Sequence, residues 1–287
     1  MTSSTQEPQL EKSYDLIAFD MDGTMLNDEK GFSPRAVAAI EKALSAGICV
    51  VSNSGRSLAE LNPYRDELAH VRYAICQNGS LIADRLTGDI LSRKCFDPEL
   101  ATAIVERLED DDCVIQAFSN GYAHFEAGVI PGLSAYDMAA YIPLFMATSK
   151  EVSGLAQQIK DAQLVCEKLD LYWTHSEARN AAHARLAELP IQISLSEETG
   201  LEISPLGVDK GSGLSELAAL LGIDMSRVVM IGDGDNDIPA LEAAGLAVVT
   251  ANARESAHAV AQLVVSSNNE AGAAEAIEQL MGVVGEL

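Results

Sequence analysis

The sequence predicts an α/β fold, with a parallel sheet assembled from both ends of the chain and an α+β module between them. Short, wholly apolar runs alternate with helical periodicity near the N-terminus, and the same rhythm returns from Leu201. Between these stretches, Thr87-Gly88 and Asn120-Gly121 each separate two strand-like segments, the pattern of antiparallel hairpins.

Tyr14–Phe19 (YDLIAF) reads as a buried strand that ends at Asp20. Ser33-Pro34 is an N-cap followed by proline at the first helical position, and Val37, Ile40 and Leu44 follow at helical spacing until Gly47. Ile48–Ser52 (ICVVS) is a second buried strand, Ser57 and Glu60 have capping-box spacing for the next helix, and Tyr73–Cys76 is a third strand. Such alternation implies right-handed crossovers and parallel pairing. Leu81–Ala83 with Asp89–Ser92 forms one expected hairpin, and Val114–Ser119 with Tyr122–Phe125 the other. A helix is expected from Asp97-Pro98 to about Glu109, a strand within Leu164–Trp173, a helix over Ser176–Glu188 and a strand over Ile191–Leu195. Residues 130–160 carry no clear pattern. Lys210–Leu221 is then helical, Arg227–Ile231 (RVVMI) a buried strand, Ile238–Ala244 a short helix and Leu246–Val249 a strand. Two further helical stretches and the strand Leu263–Val265 complete the reading.

The chain has 287 residues, enough for two compact units, and at 48% hydrophobic and 22% charged it is globular rather than disordered. Its formal net charge of −24 repels nucleic acid and anionic membranes, so neither is an expected partner. An anionic substrate stays open, because a lysine or a metal ion reverses the sign inside a cleft. Cys49, Cys76, Cys95, Cys113 and Cys166 are odd in number, widely spaced and without C-x-x-C, which points to a reducing cytoplasm. No apolar run approaches the ~18 residues of a membrane helix. Residues 1–12 are polar and acidic, unlike a signal peptide, and read as a flexible tail.

Chemistry concentrates in four places. Asp20-Met21-Asp22-Gly23-Thr24 follows a buried strand, where open α/β sheets bind ligands. A turn at Gly23 can bring both carboxylates to one cleft, one as ligand or nucleophile and the other as acid/base. Taken alone, the pentad also fits a solvated turn or an Asx cap. Gly232-Asp233-Gly234-Asp235-Asn236-Asp237 follows another strand and offers hard oxygen ligands suited to Mg²⁺, or else an acidic helix cap. It is not an EF-hand, since Ile238 stands where the glycine belongs and Ala244 where the bidentate glutamate belongs. No dinucleotide fingerprint follows the first strand. Ser54-Gly55-Arg56 combines a hydroxyl, a flexible backbone and a helix start, a phosphate cradle if it is not an ordinary turn. Lys210 opens a helix, and becomes significant because the other groups are mostly acidic and need a counter-charge.

In this order the four motifs resemble those of the haloacid dehalogenase-like phosphatases. Gln77-Asn78-Gly79 is similar to the N-G turn of the Cof-type subgroup, Glu202–Lys210 to its E-I-x-P-x-G-x-x-K segment, and Gly245–Ala253 to the stretch after its last acidic motif. The resemblance spans roughly residues 14–280. It implies a Rossmann-like core over 13–94 and 205–287, with helices on both faces of a parallel sheet, and an inserted α/β cap over 95–204. It implies a Mg²⁺-dependent phosphatase of small phosphorylated metabolites. In that reading Asp20 is the nucleophile that becomes an aspartyl-phosphate and Asp22 the acid/base. Ser54, Gly55, Arg56, Lys210 and Asn236 bind substrate. Asp20, Asp22 through its carbonyl, Asp233 and Asp237 hold or support the metal. Ser54 stands where many relatives have threonine, which keeps the hydroxyl. A phosphosugar mutase or other phosphotransferase is the enzymatic alternative, and a non-catalytic phosphometabolite-binding protein the other. A monomer or weak homo-oligomer is expected.

Overall fold

The computed structural model describes residues 13–196 and 198–284. The expected flexible tail, residues 1–12, lies outside the described residues. From the N-terminus come β1 (Leu16–Phe19), α1 (Pro34–Ser45), β2 (Cys49–Asn53), β3 (Tyr73–Cys76), β4 (Leu81–Asp84) and β5 (Ile90–Arg93). The middle of the chain adds α2 (Pro98–Glu106), β6 (Val114–Ser119), β7 (Tyr122–Glu126), α3 (Ile142–Thr148), β8 (Lys150–Val152) and α4 (Leu155–Lys160). Next are β9 (Lys168–Tyr172), α5 (Ser176–Leu186), β10 (Ile191–Ser196) and β11 (Gly200–Pro205). The last stretch supplies α6 (Lys210–Leu221), β12 (Val228–Gly232), α7 (Ile238–Ala243), β13 (Leu246–Thr250), α8 (Glu255–His258), β14 (Leu263–Val265) and α9 (Gly272–Val284).

Local chemistry sets these boundaries. Ser33 caps α1 by accepting the Ala36 N–H at 3.0 Å, and proline follows at the first helical position. Past α1 the chain reverses at Gly47, whose φ of 82° is left-handed. Ser57 and Glu60 form the expected capping box, but the helix they open is a short 3₁₀ segment, Ala59–Tyr64, with Pro63 inside it.

Contacts divide the chain into two compact units. The first holds the described residues up to Ser54, Glu67–Ala74 and those from Lys210 on; the second holds Gly55–Asp66 and Ile75–Asp209. One sheet has eight strands in the order β14-β13-β12-β1-β2-β3-β4-β5, and the division passes through β3. β1 lies between β12 and β2, parallel to both, and every side chain of β1 is fully buried. The β1-α1-β2 and β12-α7-β13 crossovers leave the centre in opposite directions. A common right-handedness therefore sends their helices to opposite faces, and the chain order reverses between β1 and β12.

The second unit has a six-stranded sheet in the order β10-β11-β9-β6-β7-β8. It is antiparallel except where β7 and β8 run parallel. Helices α2, α4 and α5 pack an apolar cluster around Leu169, Leu171 and Trp173 on one face. The rhythm read from Leu201 opens with β11, which pairs antiparallel with both β9 and β10. Residues 130–160, left open by the sequence, fold as 3₁₀ turns, α3, β8 and α4. Among the described residues no helix is long and apolar enough to cross a membrane.

Candidate active site

Asp20 stands at the carboxyl end of β1, beside the place where the strand order reverses. Its N–H donates to the Ile231 carbonyl at 2.9 Å, so the parallel ladder holds it in place. The chain then coils: the Met25 N–H reaches the Asp20 and Met21 carbonyls, and the Leu26 N–H reaches Met21 at 2.8 Å. Gly23 carries this coil at φ 76°, and a Cβ there would overlap the Asp233 carboxylate. The glycine is thus required twice, by its dihedral and by the close approach of the second acidic loop.

That loop follows β12. The Asp237 Oδ2 accepts the N–H groups of Asp233 and Gly234, each at 2.9 Å, which closes the loop on itself. The Thr24 hydroxyl donates to Asp233 Oδ1 at 2.6 Å and ties the two motifs together. Lys210, the first residue of α6, is 1% exposed; its ammonium donates to Asp20 Oδ1 at 2.7 Å and to Asp237 Oδ1 at 2.6 Å. The Asn53 amide of β2 donates to the Lys210 carbonyl at 3.1 Å and fixes where the helix begins. Ser54 follows directly and is buried.

The electrostatics of this cluster are unbalanced. Carboxylate oxygens of Asp20, Asp233 and Asp237 lie within 4.8 Å of one another, with the single ammonium of Lys210 against them. Burial, reinforced by the Asp237 and Asp233 charges, pushes the Asp20 carboxyl well above its ordinary range despite Lys210. Burial and then Asp237 push Asp233 up to about 7. Lys210 moves upward too, because its two carboxylates outweigh its own burial. Hard oxygen donors converging with excess negative charge suit a small divalent cation such as Mg²⁺. Asp20, Asp233 and Asp237 fit that role, although both Asp237 oxygens already hold Lys210 and the loop amides.

Asp20, Lys210, Asp233 and Asp237 converge. The half-buried Asp22 carboxylate is held by Lys30 at 2.9 Å. Asn236 lies in the Asp233 loop, its amide oxygen close to Gly234. Gly55 and Arg56 belong to the second unit, where the buried Arg56 guanidinium lies over the Tyr64 ring and donates to its hydroxyl at 3.2 Å. The sequence reading assigned no role to Thr24, Lys30, Asn53 or Asn252. The Asn252 amide donates to the Gly23 carbonyl at 2.8 Å. Thr24 and Asn252 stand inside the quoted motifs, so their presence there was the available signal. Lys30 and Asn53 had none.

Fold and site define an α/β protein whose strand-order reversal is marked by a lysine-anchored carboxylate centre. The chain belongs to the haloacid dehalogenase-like hydrolases, whose family model matches residues 17–277. It is 27% identical over 271 residues to the putative phosphatase YxeH of Bacillus subtilis (strain 168), covering 93% of this chain and 98% of that one. It is 28% identical over 262 residues to the 5-amino-6-(5-phospho-D-ribitylamino)uracil phosphatase YcsE of the same organism, covering 91% and 94%. The solved structure of a haloacid dehalogenase-like hydrolase from B. subtilis superposes with a TM-score of 0.83 at 25% identity, covering 92% of this chain and 99% of that one.

Proposed function

We propose that the protein is a Mg²⁺-dependent phosphatase of small phosphorylated metabolites that works through an aspartyl-phosphate on Asp20. The observation that carries this reading is the buried Lys210 ammonium shared between Asp20 and Asp237, with Asp233 within ligand distance of both. Two phosphatases among its relatives support the reaction class.

A phosphate monoester dianion and a carboxylate repel by several kcal/mol at the effective dielectric of a cleft. Lys210 offsets part of that repulsion and aims the Asp20 oxygen. A bound Mg²⁺ supplies the remaining positive charge and stabilises charge on the phosphoryl oxygens. Asp20 attacks phosphorus, the ester P–O bond breaks, and the leaving oxygen takes a proton from Asp22. Asp22, now a base, takes a proton from the water that cleaves the acyl phosphate, and Asp20 is regenerated. Ser54, the Gly55-Arg56 turn and Asn236 are assigned to phosphate and substrate, and Asp237 to supporting Lys210 and the Asp233 loop. Residues 95–204 are assigned as the inserted cap, which selects the leaving group. Five free cysteines accord with a reducing cytoplasm as its compartment.

The test is phosphate release from a panel of phosphorylated sugars, cofactors and nucleotides, with Mg²⁺ and with EDTA. Release from at least one ester, silenced by EDTA, is expected. An isomerised product without free phosphate would replace hydrolysis by the mutase reading, and no turnover of any ester would overturn both.

A further inference from the structure

Strand β9 reads Lys-Leu-Asp-Leu-Tyr, and its two faces have opposite fates. Leu169 and Leu171 enter the apolar cluster under α2, α4 and α5. Lys168, Asp170 and Tyr172 take the other face. Asp170 lies opposite Gln116 of β6 and Glu202 of β11, and Glu202 lies opposite Ser194 of β10. A row of polar side chains thus crosses the sheet. It is not solvated: Lys168 is 0% exposed, Gln116 1%, Asp170 5% and Glu202 7%. Burying such a row costs free energy unless its members are paired, and an apolar set of the same volume is often as stable.

The pairing runs to one turn of the backbone. Lys168 Nζ donates to Asp170 Oδ2 at 3.0 Å, to Glu202 Oε1 at 2.7 Å and to the Gly55 carbonyl at 3.1 Å, which uses all three of its protons. Glu202 Oε2 accepts the Asn78 amide at 2.8 Å. The Arg56 carbonyl accepts the Gln77 N–H at 2.9 Å; Gln77 and Asn78 both hold left-handed backbones, a strained state for such residues. The Ser57 N–H donates to Glu60 at 2.5 Å, the other Glu60 oxygen accepts the Gln116 amide at 3.3 Å, and the Gln116 oxygen accepts the Tyr172 hydroxyl at 2.7 Å. The carbonyls of Gly55 and Arg56 and the N–H of Ser57 are therefore held, directly or through one intermediary, by the polar row and its neighbours. Gly55 itself has no room for a methyl, since a Cβ would stand 2.9 Å from Glu202 Oε1 and 3.3 Å from Lys168 Nζ.

We infer that Lys168 is a positioning residue for the turn that follows Ser54, acting through the Gly55 carbonyl. A trans peptide is planar, so fixing that carbonyl also fixes the Arg56 N–H on the opposite side of the same plane. A displacement of about 1 Å in a group that orients a reacting phosphate costs on the order of 10²-fold in rate. The inference rests on the reading of Ser54, Gly55 and Arg56 as phosphate-binding.

The experiment compares wild type with Lys168→Met/Glu202→Gln, which removes one charge of each sign at nearly constant volume. Three readouts are taken: hydrogen exchange of the amides at 55–58, inorganic phosphate affinity by calorimetry with Mg²⁺, and kcat and KM for p-nitrophenyl phosphate. The expected result is exchange at 55–58 faster by about tenfold, with phosphate affinity and kcat/KM both weakened by about 10–100-fold. Exchange in β9 and β11 should be unchanged. A folded variant with wild-type exchange at 55–58 and wild-type phosphate affinity overturns the proposal. Should the double variant not fold, Gly55→Ala asks the same question, because its methyl pushes the turn off Lys168, Glu202 and Asn78 without straining φ. The same losses are expected, and wild-type behaviour overturns the proposal. If wild type neither binds phosphate nor cleaves any ester, the proposed function fails by itself, and the exchange readout still decides whether Lys168 holds the turn.

Discussion

Two buried lysines divide the chemistry of this chain. Lys210 and Lys168 are both essentially inaccessible, and each holds two carboxylates within 3.0 Å. Their surroundings differ. The third proton of Lys168 goes to a backbone carbonyl, and Lys168, Asp170, Glu202 and Gln116 are all buried. Around Lys210 a third carboxylate, Asp233, converges on the same space, and Asp233 and Asp22 remain only half-buried. The same ammonium–carboxylate arrangement is a closed tie in one unit and a centre of converging carboxylates suited to a cation in the other. Ion pairing does not distinguish them; the third converging carboxylate and an open side do.

The largest effect should follow from breaking the open centre. Asp20→Asn keeps shape and burial but supplies a poor nucleophile, so turnover should fall on the order of 10⁴-fold or more. A steady-state assay showing a loss within tenfold would remove Asp20 as nucleophile. Asp22→Asn should cost about 10²–10⁴-fold with an alkyl phosphate and less with p-nitrophenyl phosphate in phosphoenzyme formation, since p-nitrophenolate leaves without a proton. Rapid-quench rates that drop equally for both esters would leave Asp22 only its backbone. Removing either lysine tests the comparison itself. Lys210→Met and Lys168→Met each strand two buried carboxylates, and each should lower unfolding free energy by about 3–5 kcal/mol. Partner neutralisation should then separate them. Lys210→Met/Asp237→Asn should regain stability while staying inactive, whereas Lys168→Met/Glu202→Gln should regain stability and keep measurable turnover. Equal residual activity in the two pairs, by denaturant titration and assay, would erase the distinction.

The open centre was legible because its residues sit where a physical rule puts them. Asp20 and Asp233 each follow an apolar strand run, and parallel sheets gather such ends where strand order reverses. Lys210 was legible as the first residue of a helix among acids. The closed row was not. Alternation in Lys168–Tyr172 predicts a strand with one polar face, and a polar face ordinarily points to water. What buries it is the approach of Gly55–Glu60 and Gln77–Asn78, 90 or more residues away in sequence, which local patterning does not encode. Gly200–Pro205 shows a related limit of local patterning. Its alternation is that of any strand, and only its partners, β9 and β10, decide which sheet it joins. The Lys30 contact with Asp22 depends on a left-handed backbone at Lys30 itself, for which a lysine gives no signal.

The smallest effect concerns the charge state inside the closed row. Asp170 Oδ2 accepts from Lys168, while its Oδ1 has no partner among the described residues. Burial is the main cause that raises this carboxyl well above its ordinary range; Glu202 and Glu60 add to it and Lys168 opposes, and burial, then Asp170, raises the Tyr172 phenol. Folded Asp170 therefore keeps its proton at pH values where the unfolded chain has released it. Its contribution to stability is full below the unfolded carboxylate range, near pH 4, and is lost as pH rises towards the folded value. Asn cannot titrate, so Asp170→Asn should be close to wild type near pH 4 and become relatively more stable as pH increases. Each tenfold change in proton affinity is worth ~1.4 kcal/mol, and the gain accumulates across the titration rather than in one step. Lys210, Asp20 and Asp233 titrate identically in both proteins and cancel in the difference. Denaturant unfolding of the pair from pH 4 to pH 9 gives that difference directly. A flat or inverted trend would mean that Asp170 stays ionised beside Lys168, leaving the row with surplus negative charge like the open centre. A rising trend leaves Lys168 and Glu202 as a balanced pair, and marks charge balance as what separates a tie from a site.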